Sequence, residues 1–319
     1  MSVPTRLLLF GAALIALFVG AAGIGRAVGP VESTPSADHS DMAEDADDAG
    51  MDVGDADATA LPKGLMVTQK GYTFRLAEPT AAAGDAVPVA FTIEGPDGNP
   101  VTDYDVEHEE DLHLIAVRRD FSGFQHVHPE MAEDGTWTTA LDLTAGQWRL
   151  FADFKATGAD ALTLGNDLAV PGSYRPTEPP ATDSLTATVD GYTVTLDGDL
   201  TAGEEAELTL SVTRDGEPVT DLEPYLGAYG HLVALRAGDL AYLHVHPEGA
   251  PEDGVTEPGP DVVFFAEVPS TDRYHLYLDF KHEGVVRTAA FNVTSSAAGS
   301  RAPDAEESDD SGDHSGDGH

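Results

Sequence analysis

The chain has 319 residues, of which 57 are acidic and 16 basic, for a formal net charge of -41, and it contains no cysteine. Such a charge repels nucleic acid and anionic lipid surfaces and attracts cations. The missing cysteine excludes disulfides, zinc ribbons, thiolate catalysis, blue-copper centres and a lipoprotein anchor, each of which needs its sulfur. Only Lys63, Lys70, Lys155 and Lys281 supply lysine. A lysine-poor, aspartate-rich surface suits high salt, where screening removes self-repulsion, so most of the charge reads as a solvation device.

Leu7 to Gly25 is an uncharged apolar run bracketed by Arg6 and Arg26. About 20 apolar residues span a hydrocarbon core as a transmembrane helix. Gly20-Ala21-Ala22-Gly23 also offers small residues for signal cleavage. Residues 1–30 are therefore a membrane anchor or a removed signal. Either way the remainder is expected outside the cytoplasm, at the cell membrane or secreted. Residues 31–62 are rich in Asp, Ala, Ser and Gly and cannot bury enough surface to order, which predicts a disordered acidic stalk. The tail at 295–319 has the same character.

Two β-rich units are expected between these tails, at 63–172 and 185–294, joined by a Pro-rich linker at 173–184. Val87-Pro-Val-Ala-Phe-Thr-Ile alternates with period two and then turns through Glu94-Gly-Pro-Asp-Gly-Asn. Glu207-Leu-Thr-Leu-Ser-Val-Thr-Arg followed by Asp215-Gly216 does the same. The units repeat one another. Gly71-Tyr72-Thr73 returns as Gly191-Tyr192-Thr193, Pro100-Val101-Thr102-Asp103 as Pro218-Val219-Thr220-Asp221, and Asp153-Phe-Lys155 as Asp279-Phe-Lys281. A longer loop in the second copy falls around Ala250 to Pro260. About seven short strands per unit and no helical stretch predict an all-β fold of two tandem Ig-like β-sandwiches.

The repeat also copies three histidines. His113-Leu-Ile-Ala-Val-Arg and His126-Val-His128-Pro129-Glu130 return as His231-Leu-Val-Ala-Leu-Arg and His244-Val-His246-Pro247-Glu248. Residues i and i+2 of a strand share a face, so each His-x-His pair can meet one ion. A hairpin turning through Asp120 to Gly123 brings His113 towards the same end. The expectation is one metal site per unit, of His113, His126 and His128 in the first and His231, His244 and His246 in the second. Imidazole suits Cu(II) and Zn(II). Glu130 and Glu248 are candidate carboxylate ligands or orienting partners. The competing reading makes these histidines structural, capping carbonyls or stacking on Phe124 and Tyr242. A cupin enzyme fits His126, His128 and Glu133 in the first unit, but the second has Pro251 at the Glu133 position.

On these strings the chain resembles a group of secreted or membrane-anchored, duplicated His-x-His-Pro proteins of haloarchaea and actinobacteria. The leading half of each unit is also similar in pattern to YtkA-like and CopC-like extracytoplasmic Ig-type domains. That resemblance implies copper handling, although the chain lacks the mature N-terminal histidine of the CopC-type Cu(II) site. Together these features predict a non-enzymatic, membrane-anchored, extracytoplasmic protein that buffers or delivers a metal ion, copper first. The alternative is a cell-surface Ig-like module that holds an extracytoplasmic protein partner.

Overall fold

The computed structural model describes residues 62–178, 180 and 182–298. The apolar run at 7–25, the stalk and the acidic tail from 299 onward lie outside the described residues. The described residues belong to one compact unit and are all β, with no helix long and apolar enough to cross a membrane among them.

The first sandwich comprises β1 (Thr68–Gln69), β2 (Tyr72–Leu76), β3 (Gly84–Glu94), β4 (Leu112–Arg118), β5 (Gln125–Val127), β6 (Glu130–Met131), β7 (Thr136–Leu143), β8 (Gly146–Phe154) and β9 (Leu162–Val170). One sheet has the order β1-β2-β3-β7-β6, the other β5-β4-β8-β9. The second comprises β10 (Thr186–Val189), β11 (Tyr192–Asp197), β12 (Glu205–Arg214), β13 (Glu217–Pro218), β14 (His231–Arg236), β15 (Val245–Pro247), β16 (Asp261–Glu267), β17 (Arg273–His282) and β18 (Val285–Thr294). Its sheets run β10-β11-β12-β16-β15, with β13 on β12, and β14-β17-β18. All named pairs are antiparallel. Both copies therefore show the ABED and CFG strand order of an immunoglobulin-like sandwich, without its disulfide.

Each sandwich fills its own core by strand alternation. Val89, Phe91 and Ile93 of β3 point inward, as do Leu208, Leu210 and Val212 of β12. Strands β4, β8, β14 and β17 depart from alternation because both of their faces are covered. Leu112, Leu114 and Ala116 of β4 enter the first core, whereas Ile115 and Val117 enter a third cluster with Phe151, Val233, Leu235, Leu240 and Tyr277. The two sandwiches thus pack face to face through β4/β8 and β14/β17. Phe124 stacks on Tyr277 at 4.0 Å between ring centroids, Phe121 on His275 at 3.6 Å, and the Tyr277 hydroxyl donates to the Phe121 carbonyl at 2.7 Å.

Candidate metal centre

The same alternation that sends Ile115 and Val117 to the junction sends His113 there, one pleat earlier. In β14 it carries His231 below Val233 and Leu235. In β17 it carries Asp279 two residues beyond Tyr277. His113 pairs with Asp153 across β4/β8, and His231 with Asp279 across β14/β17. Strand β5 folds back on β4 with Ile115 opposite His126 and Ala116 opposite Gln125. The expected hairpin is therefore present in the first unit, and it sets His126 and His128 beside His113.

One ligand atom each from His113, His126 and His128 lies within 4.8 Å of the other two. The same holds for His126, His231 and Asp279. Three histidines and one aspartate, drawn from both sandwiches, converge around His126. Its Nε2 lies 3.1 Å from His113 Nδ1 and its Nδ1 lies 2.9 Å from Asp279 Oδ2. The His113 and His231 rings are nearly parallel, 5.8 Å apart. His113 Nε2 donates to the Glu107 carbonyl at 3.0 Å, and the Thr288 hydroxyl donates to Asp279 Oδ1. Such outer contacts orient ligands and fix tautomers. His128 Nδ1 faces Glu110 at 3.5 Å. His128 Nε2 and His231 Nδ1 are buried and find no hydrogen-bond partner among the described residues.

Burial dominates the electrostatics. Desolvation pushes His126 and His231 well below the ordinary imidazole range, lowers His113, and takes His128 down to about 4. Neighbouring imidazoles push the same way. Burial also raises Asp279 to about 6, against the Thr288 hydrogen bond and His231, which lower it. At neutral pH the cluster is therefore a set of neutral imidazoles, the form that binds metal.

The proton count is informative. A carbonyl only accepts, so His113 Nε2 carries its proton and Nδ1 is bare. An ionised Asp279 likewise draws the His126 proton to Nδ1 and leaves Nε2 bare. Two lone pairs then face one another at 3.1 Å. A cation between them, or an additional proton on the Asp279–His126 pair, resolves the conflict.

The second expected triad is not assembled. His231 joins the cluster just described, but His244 and His246 are exposed and elsewhere. The cause is a strand that changes sheets. In the first unit β5 stays on β4 through Val127. In the second, the chain leaves β14 after Leu243, and Val245–Pro247 pairs with β16 instead. His244 Nδ1 lies 3.0 Å from Lys63 Nζ, and His246 sits on Phe265 facing Glu205. Glu130 and Glu248 lie outside both ligand groups, and the carboxylates near the centre are Asp279, Glu110 and Asp153. Phe124 stacks on Tyr277 and Tyr242 meets Phe151 at a tilt, and neither stacks on the six repeated histidines. Asp120 and Asp239 pair with Arg118 and Arg236.

Sequence reasoning missed Asp279 and His108. Asp279 stood in plain view in the repeated Asp-Phe-Lys string. His108 has no counterpart in the repeat, which hid it. It is exposed, with its ring 6.1 Å from both His113 and His231. It occupies a tight turn with Glu109 at φ of 52° and 70°, a left-handed conformation costly for non-glycine residues. The same turn in the second unit uses Leu226 and Gly227.

The chain belongs to the DUF8832 family. The model of the domain of unknown function DUF8832 matches residues 67–165 and again 187–297. No curated protein matches the chain. Among solved structures it is similar to the Escherichia coli adhesin FdeC, at 16% identity over 73% of this chain and 65% of that one, with a TM-score of 0.23. It is also similar to the Yersinia pseudotuberculosis adhesin InvE, at 14% identity over 72% and 60%, with a TM-score of 0.21. The chain thus spans less than two thirds of either structure.

Proposed function

We propose that this is a non-enzymatic, extracytoplasmic metal-binding protein, anchored or exported through its N-terminal run, that holds Cu(II) or Zn(II) at the junction of its two sandwiches. The observation that carries this reading is the 3.1 Å approach of His113 Nδ1 to His126 Nε2, with His113 Nε2 committed to the Glu107 carbonyl and His128 Nε2 buried without a partner among the described residues. A borderline cation satisfies all three. The donors are nitrogen and carboxylate oxygen, which favours Cu(II) over Cu(I) and leaves Zn(II) as its competitor. Buffering or delivery fits a site that binds through neutral imidazoles.

A second reading is supported by the same hydrogen bonds. With one additional proton the chain Asp279–His126–His113–Glu107 is complete without metal, and the centre becomes a polar pin in a cell-surface interaction module. The test is retention. Full-length protein, stripped with chelator, is loaded separately with Cu(II) and Zn(II) in molar salt, desalted and assayed for metal per chain. At least one equivalent is expected, reduced by one in His113→Ala and unchanged in a His244→Ala/His246→Ala double variant. Protein that retains no metal transfers the assignment to the interaction module.

A further inference from the structure

We propose that the centre takes two ions, with the His126 ring bridging them as an imidazolate. The inference rests on the metal-binding reading above and deepens it. The two ligand groups share one residue, and they meet opposite nitrogens of that residue. His113 stands at Nε2, with His128 beside it, and Asp279 stands at Nδ1. His231, whose buried Nδ1 has no partner among the described residues, has its ring centroid 4.6 Å from that of His126 and completes the second group.

The spacing suits coordination with little movement. Two ligands on a tetrahedral ion at about 2.0–2.1 Å lie roughly 3.3 Å apart. The observed contacts of 3.1 Å and 2.9 Å on the two sides of His126 are slightly shorter. Since Nδ1 and Nε2 diverge across the ring, no single ion reaches both. One ion at Nε2 takes His113, His126 and His128. A second at Nδ1 takes His126, His231 and the Asp279 carboxylate. Binding of the second ion displaces the remaining N–H proton of His126 to solvent, and the ring becomes an anion shared by two cations. Imidazolate and Asp279 together offset two of the four positive charges, and Asp153 and Glu110 stand nearby.

The probe is Cu(II) added to chelator-stripped, full-length protein, followed by equilibrium dialysis and electron paramagnetic resonance. Wild type is expected to retain two equivalents. Its integrated spin should fall well below two per chain, because imidazolate couples the two unpaired electrons antiferromagnetically, and one proton should be released with the second ion. His231→Gln and Asp279→Asn, checked for native sheet content by circular dichroism, should each retain one magnetically isolated Cu(II). Retention of a single equivalent by wild type, or of two with a full spin count of two, overturns the bridge and leaves the single-site function standing. Retention of none overturns that function as well. The wild-type spin count decides the question even where a variant fails to fold.

Discussion

Asp279→Asn should make the metal-free protein more stable while weakening its hold on metal. Burial raises the Asp279 carboxyl from 3.8 to about 6. The folded state thus holds this proton more tightly than the unfolded chain does. Stability is lost as pH rises through that window, and the loss is complete above it. About two pH units at about 1.36 kcal/mol each amount to roughly 3 kcal/mol at pH 8, and to about half that at pH 5, where the unfolded carboxylate is already ionised. An amide carries no such penalty. Its NH2 group donates to His126 Nδ1, so that His126 Nε2–H donates to His113 Nδ1, and its oxygen accepts from the Thr288 hydroxyl as the carboxylate does. For a body of this size 1 kcal/mol shifts Tm by about 2–4 °C, so the substitution should raise Tm by roughly 6–12 °C at pH 8. Thermal melts in chelator at the two pH values read this directly, and metal retention is measured in parallel. Destabilisation at both pH values, or a gain that does not change between them, would show that the charge of Asp279 is not what the junction opposes.

The four clustered histidines act in the opposite direction. Their lowered pKa values contribute stability that is present above about 6.5 and lost as pH falls towards the His128 value of about 4. With Asp279 opposing, the unfolded chain still takes up protons across this window, so stability falls as pH falls. Urea midpoints of metal-free protein should therefore fall steeply between pH 6.5 and 5, and a flat profile there would mean that the imidazoles are hydrated. At the other side of the junction, Tyr277→Phe removes a 2.7 Å hydrogen bond to the Phe121 carbonyl while keeping the ring stack. The expected cost is about 1–2 kcal/mol in denaturant melts, and an unchanged midpoint would place that hydroxyl in water.

The sandwiches were legible because alternation and turn residues are local signals. Strands β3 and β12 bury every second residue, and the sequence shows it. The hairpin that unites His113 with His126 was legible for the same reason. The junction was not read, although its signal was present. His113 to Val117, His231 to Leu235 and Tyr274 to Phe280 are nearly unbroken apolar runs with buried polar residues set among them. Such runs mark strands covered on both faces. Reading them that way would have placed His113, His231 and Asp279 between the units instead of at the ends of separate ones. The departure of β15 from β14 had no comparable local signal, because Leu-His-Val-His-Pro-Glu reads alike in a strand on either sheet.

Duplication of the motif did not duplicate the centre, and the geometry explains why one suffices. His113 and His231 lie nearly parallel across the junction, with ring centroids 5.8 Å apart. In the occupied arrangement β5 of the first unit delivers His126 onto Asp279 of the second. The mirrored arrangement would deliver His244 of the second unit onto Asp153 of the first. Asp153 does act electrostatically on His244, but Lys63 Nζ stands 3.0 Å from its Nδ1, an ammonium where its counterpart meets a carboxylate. Partial burial of its ring lowers the pKa of His244, the Lys63 cation adds to it, and that cation repels an incoming metal ion. The second copy of the strand leaves β14 and pairs with β16. His231 and Asp279 then supply the centre from the second unit, as His113, His126 and His128 do from the first. The repeat has become one composite site in which each sandwich holds the ligands that the other lacks.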